Sequence, residues 1–218
     1  METNKSLENA LLDTLTDNSI ELTTEIGELT IDQFIDNELL RDIPFFSLFY
    51  KSFKTISGLK EAIFAMKVYK FLKEFEAIKL DDKQNFTQKI SSDKKERTKI
   101  GQTLIIILDK LDELSKTQMI AKLFGAYIKS ELTQSEFIHL CSIVQISYLD
   151  YLLEFCKAKK LSDINQEIQP YLSNYGLMLP IVMDIKSEYG SSVEIEENKY
   201  YITYVVTKIG SKMMKYAV

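Results

Sequence analysis

Residues Ile100–Phe155 read IGQTLIIILDKLDELSKTQMIAKLFGAYIKSELTQSEFIHLCSIVQISYLDYLLEF, and their periodicity decides the fold. Ile100, Leu104, Ile107, Leu108, Leu111 and Leu114 form one stripe at steps of three and four. Lys116 to Ser130 carries a second, with Met119, Leu123, Phe124 and Tyr127 inward. Phe137, Leu140, Cys141, Val144, Tyr148, Tyr151, Leu152 and Phe155 form a third. Such steps place each set on one face of a helix. The run Leu104–Leu108 also fits a buried strand, but the stripe continues on both sides without a turn signal, which favours helix. Thr133 with Glu136 three residues later is a capping box that starts the third helix. Three amphipathic helices in a row are therefore expected.

Composition agrees. Seven Gly and three Pro in 218 residues are too few for a turn-rich, strand-rich fold. A 45% hydrophobic content is enough to bury a sizeable core. The two cysteines, Cys141 and Cys156, lie 15 residues apart on the predicted helix. That is about 22 Å along the axis, too far for a disulfide, so buried thiols in a reducing compartment are expected. The start, METNKSLENALLD, is polar and acidic and does not read as a signal peptide. No apolar run approaches the ~20 residues of a membrane span. A cytoplasmic location is the expectation, with peripheral membrane association as the variant.

Charge is distributed unevenly. Residues 1–42 hold eleven Asp and Glu against Lys5 and Arg41, a local balance of −9. Leu7, Leu11, Leu12 and Leu15 suggest a short helix there, and Thr30 caps another through Ile31, Phe34, Ile35 and Leu39. The plain reading is a solvated acidic arm over residues 1–30. The sharper one is an arm that docks on a basic partner or on the chain's own basic segment. Pro44 to Lys79 is that segment, with seven Lys against three Glu. Asp81 or Asp82 is expected to cap a helix carrying Phe86 and Ile90, and residues 91–97 read as a connection or a polar first turn.

Beyond Cys156 the pattern changes. Pro170 and Gly176 punctuate it, and Val193–Ile195 with Tyr200–Val206 look like paired strands around residues 196–199. Thr207 and Gly210 lead into a terminal helix with Met213, Met214 and Tyr216. The expected fold class is mainly α, a multi-helix bundle with a small C-terminal α+β module whose helix–hairpin–helix order is that of a degenerate winged helix. The expected divisions are an acidic arm at 1–30, the bundle at 31–160 and the module at 161–218.

The chain resembles a recurrent pattern among helical bacterial proteins that carry no assigned activity. The matching positions are Leu108, Asp109, Lys116, Lys122, Leu123, Phe124, Ala126, Tyr127, Glu136, Phe137 and Asp150, with Ile43-Pro44 through Lys70-Phe71-Leu72 upstream and Tyr204, Thr207 and Gly210 late. Some such proteins are encoded among phage-defence or mobile-element genes. The resemblance implies a bacterial origin and a defence context, and no mechanism.

Several chemistries lack their residues. One histidine, His139, and two distant cysteines make no zinc pattern. No Gly-rich phosphate loop and no Gly-x-Ser-x-Gly elbow occur. Asp109 and Asp112 share a helical face, where they bind a divalent cation or, as the favoured reading, meet Lys110, Lys116 or a helix end. A net charge of −5 and a late segment holding Glu196 and Glu197 at the wing argue against nucleic acid. No catalytic, cofactor or metal residue is assigned. The candidate surface, for a protein partner or a membrane, is Phe45, Phe46, Phe49, Tyr50, Lys51, Phe53, Lys54, Lys60, Lys67 and Lys70, since aromatic rings interleaved with Lys suit an interfacial helix. The competing reading makes the rings core and the lysines surface. The expected function is non-enzymatic interaction or regulation through a protein partner, with a homo-oligomer allowed. A membrane-directed effector using residues 44–75 is the alternative.

Overall fold

The computed structural model describes residues 6–17, 20, 22, 30–52, 58–184 and 200–218. The protein is mainly helical with one small antiparallel sheet near its C-terminus, which is the expected fold class. It divides into two compact units, Met1–Gln145 and Ile146–Val218. The division falls earlier than the expected boundary at residue 160.

The N-terminal unit begins with α1 (Leu7–Thr16), a helix whose acidic setting hides an apolar face. Ala10, Leu11, Leu12 and Leu15 are buried against the bundle. For residues 7–16 this corrects the expectation of a solvated arm; most of the remainder of 1–30 lies outside the described residues. Asp13 pairs with Arg97 at 2.6 Å. The buried Thr14 hydroxyl donates to Ala10 O at 2.9 Å and accepts from Phe45 N at 3.1 Å. It thereby satisfies a first-turn amide of α3 (Pro44–Ser52), which opens with Pro44 at a position where the missing N–H costs nothing. Gly101 lets α1 approach closely, because a Cβ there would meet Glu8 O at 2.5 Å.

Between them, α2 (Ile31–Ile35) starts at the Thr30–Gln33 capping box, and a 3₁₀ turn covers Glu38–Asp42. Then follow α4 (Leu59–Glu76) and α5 (Leu80–Ser91). Lys79 takes the cap position of α5, so Asp81 and Asp82 sit in its first turn instead, where carboxylates complement the helix dipole. Phe86 and Ile90 are buried as expected. Asp93 caps α6 (Lys94–Lys110) through the amides of Lys95 and Glu96. Leu104–Leu108 is helix rather than strand.

Next come α7 (Lys116–Ile128) and α8 (Gln134–Ile146). Ser130, at φ 60°, closes α7 in the left-handed region, and the amides of Glu131 and Leu132 return to Ala126 O. Thr133 and Glu136 exchange both bonds of the expected capping box, at 3.2 and 3.0 Å. The core is aromatic. Phe124 lies 5.5–5.9 Å from the rings of Phe71, Phe75, Phe86, Tyr127 and Phe137, the spacing of favourable edge and tilted pairs.

The third predicted helix is two helices. The chain turns at Ser147 and Tyr148, where Tyr148 adopts extended backbone, and α9 (Leu149–Lys157) begins anew. Cys141 and Cys156 therefore sit on different helices, in different units, both as free buried thiols.

In the C-terminal unit, a 3₁₀ turn (Leu161–Asp163) and α10 (Gln169–Asn174) follow α9. Gly176, at φ 74°, turns the chain into β1 (Met178–Asp184). β1 pairs antiparallel with β2 (Tyr200–Val206), from Met178↔Val206 to Asp184↔Tyr200. The partner found for Tyr200–Val206 is thus Met178–Asp184; the expected strand Val193–Ile195 and its turn lie outside the described residues. Thr207 caps α11 (Lys208–Tyr216) by accepting from Gly210 N at 3.0 Å, and donates to Gly176 O at 2.7 Å. The α11 core residue Met213 packs beside α9, where the Cys156 thiol donates to its carbonyl at 3.8 Å.

Candidate functional site

The candidate surface of the basic segment divides by side chain. Phe45, Phe46 and Phe49 are at most 1% exposed, so the rings offered to a partner or membrane are core instead. The reason is geometric: α3 is short and lies between α1 and α4, and its rings pair with Phe34, Phe64 and Tyr69. Tyr50 is half-buried, and burial pushes its phenol up, with Arg41 opposing. Among the described residues its hydroxyl has no hydrogen-bond partner. Lys51 and Lys60 are exposed and Lys70 is half-buried. Phe53 and Lys54 lie outside the described residues.

Lys67 is buried and structural. Its ammonium donates to Leu111 O at 2.5 Å and to Asp109 O at 3.1 Å. A cation on the last carbonyls of α6 satisfies orphan acceptors and complements the helix dipole. Burial lowers the proton affinity of this amine, with Asp109 and Asp112 acting the other way. Lys116 closes the same turn from the other side. It is 1% exposed, pairs with Asp112 at 2.8 Å and donates to Gln145 O at 3.3 Å. That ammonium's hydrogen bond holds the Asp112 carboxyl below the usual range. Of the pairings expected for these carboxylates, Asp112 meets Lys116.

What the basic segment leaves open is a groove of about 300 Å³ between α1, α3, α4 and α6. Leu7, Phe49, Phe64, Ile105 and Ile106 form its apolar walls, and Lys60, Glu61 and Asp109 stand at its edge. Ile106 is 52% exposed, although its helix is otherwise buried along the Ile100–Leu108 stripe. The sequence places Ile106 off that stripe, which was the available signal for a second apolar face on α6. A second, larger cleft of about 420 Å³ lies under Leu15, Leu72, Phe75 and Lys83. Its polar groups are engaged: Glu76 pairs with Lys73 at 2.8 Å and accepts from Leu22 N at 2.7 Å, and Lys73 also reaches Leu22 O. The Lys83 ammonium sits 5.1 Å above the Phe75 ring.

Neither cysteine is set up as a nucleophile. Burial pushes the Cys141 thiol well above its ordinary value and Cys156 to about 12, the opposite of an activated thiolate. His139 is exposed on α8. Among the described residues no group of three or more His, Cys, Asp and Glu converges, and no helix is long and apolar enough to cross a membrane. Compared with protein-family models, curated proteins and solved structures, the chain matches none of them.

Proposed function

We propose that this chain is a non-enzymatic interaction or regulatory protein that seats an apolar segment of a protein partner in the groove between α1, α3, α4 and α6. The observation that carries the reading is the open apolar floor at Phe64 and Ile106, bordered by charges of both signs. Such a floor takes aliphatic anchors, while Lys60, Glu61 and Asp109 fix the orientation of what lies across it. The acidic N-terminal helix contributes Leu7 to the wall, so α1 is a part of the binding face rather than a detachable arm. A cytoplasmic, bacterial, phage-defence setting fits the resemblance of the central helices. The membrane-effector reading is the weaker one, since it needs Phe45, Phe46 and Phe49 outside the core they now fill.

The test is capture from the native host with three tagged proteins: wild type, Ile106→Arg and Ile138→Arg. Ile138 is an exposed apolar residue of α8 outside the groove and serves as the control. A protein retained by wild type and by Ile138→Arg, and reduced at least about tenfold by Ile106→Arg, is the expected result, because a charge on an apolar floor costs a bound anchor at least about 1.4 kcal/mol. Retention unchanged by Ile106→Arg sinks the groove. Recovery of wild type on anionic liposomes, unaltered by either change, moves the assignment to the membrane.

A further inference from the structure

The larger cleft of the N-terminal unit, about 420 Å³, has the size of a small-molecule site and mostly apolar walls. Leu15, Leu22, Leu72 and Phe75 line it and are each at most 6% exposed, while Leu80 stands half-exposed at the rim. The wall at Leu22 is tied on both sides, its amide to Glu76 and its carbonyl to Lys73. The Glu76 carboxylate is matched by Lys73 and by that amide, so its charge is already answered. The Thr14 hydroxyl is taken up by Ala10 O and Phe45 N.

Lys83 differs from these groups. An ammonium has three donors, and among the described residues one of them is used, in a long 3.4 Å bond to Glu76 O at the end of α4. The Phe75 ring, 5.1 Å away, attracts the charge but supplies no acceptor oxygen. Burial lowers the proton affinity of this amine, with Glu76 opposing. An anion brought to Lys83 offsets that desolvation and accepts from the remaining donors.

We propose that this cleft binds a small amphipathic monocarboxylate, with its two oxygens on Lys83 and its apolar tail along Leu15, Leu72 and Phe75. One ammonium with two remaining donors matches the charge and the paired acceptors of a single carboxylate. A phosphate dianion calls for more cation than this, and Lys83 is the one Lys or Arg among the described lining residues. An alkylammonium meets Lys83 as a like charge. Asp17 lies at the exposed margin, where water and salt screen it from the bound head. The tail sets the strength, since each buried methylene raises affinity about fourfold. For decanoate a Kd of roughly 10 µM to 1 mM follows. The cleft shares no lining residue with the groove assigned to a protein partner, so the two readings stand or fall separately.

The experiment is isothermal titration calorimetry of the full chain with octanoate, decanoate and decylammonium. Wild type should bind decanoate at one saturable site, about tenfold more tightly than octanoate. Decylammonium should bind at least about tenfold more weakly than decanoate. Lys83→Gln should weaken decanoate at least about tenfold, and Lys83→Arg should keep it within about threefold. Lys95→Gln, at an exposed lysine of α6 outside the cleft, is the control and should leave binding unchanged. No saturable decanoate binding by wild type below about 5 mM overturns the proposal. So does decanoate binding that Lys83→Gln leaves intact, or that Lys95→Gln weakens as much. If Lys83→Gln fails to fold, the wild-type comparison of head groups decides: preference for decanoate upholds the carboxylate site, and equal or tighter binding of decylammonium overturns it.

Discussion

The two units treat their aromatic and aliphatic residues in opposite ways. In Met1–Gln145 the rings face one another, with Phe124 among five neighbours and Phe45, Phe46 and Phe49 sealed beneath α1. In Ile146–Val218 Phe155 is buried but several tyrosine rings come outward. Tyr148, Tyr151 and Tyr171 form a chain at 4.9 and 5.5 Å, and Tyr148 and Tyr171 are more than half exposed. Ten of the fifteen exposed large apolar side chains among the described residues belong to the smaller unit. A small unit has too much surface for its volume to hide everything apolar. On the ribbon the exposed residues lie on both faces, with Val182, Tyr200 and Ile202 on one and Leu179 and Val205 on the other.

The sharpest break of the comparison is at the two aromatic and aliphatic centres. Phe124→Ala should destabilise the N-terminal unit by about 3–5 kcal/mol, since it removes a fully buried ring and leaves a cavity among five others. Ile202→Ala, at an exposed position of the ribbon, should change stability by no more than about 0.5 kcal/mol. Denaturant titration followed by circular dichroism measures both. Equal losses would mean that the ribbon face is packed in solution and the contrast is false.

A matched pair comes next. Thr133 caps α8 and Thr207 caps α11 with the same bond to the third helical amide. Thr133→Ala and Thr207→Ala should each cost about 1 kcal/mol in the same titration. Thr207→Ala should cost the more, because Thr207 also donates to Gly176 O.

The smallest effect is electrostatic and confined to the N-terminal unit. Lys116 holds the Asp112 carboxyl below its ordinary 3.8. A depressed carboxyl contributes stability that is fully present above the unfolded value and is lost as pH falls through the folded one. Acidification below about pH 4 should therefore narrow the stability gap between wild type and Asp112→Asn. With the carboxylate 62% exposed, that gap should be under about 1 kcal/mol at neutral pH. A gap that widens in acid contradicts the assignment.

Much of the N-terminal unit was legible because its signals are local. The stripes of α6, α7 and α8 and the Thr133–Glu136 box need only neighbours in sequence. The division at Ser147 was not legible, since Val144, Tyr148, Tyr151 and Leu152 keep a helical step across it and no Gly or Pro marks the turn. β1 was missed because LMLPIVMD is a short apolar run interrupted by Pro180, which weakens a strand reading. The role of α1 was obscured by charge. Its acids Glu8 and Asp13 meet Gln102 and Arg97 of α6 at the margin of the contact, while four apolar residues are buried within it, and a local charge balance reports only the acids. The groove was invisible for a different reason. It joins residues of four helices, a juxtaposition that spacing along one helix does not encode.

The placement of the two cysteines has a practical consequence. Each unit owns one buried thiol that burial makes strongly reluctant to ionise: Cys141 on α8 and Cys156 on α9. A thiol of that kind reacts only when its surroundings open. The wild-type chain therefore carries a built-in clock for each half. The rate at which each thiol is trapped, resolved by peptide mass, gives the free energy of local opening for each unit separately, without any engineered label.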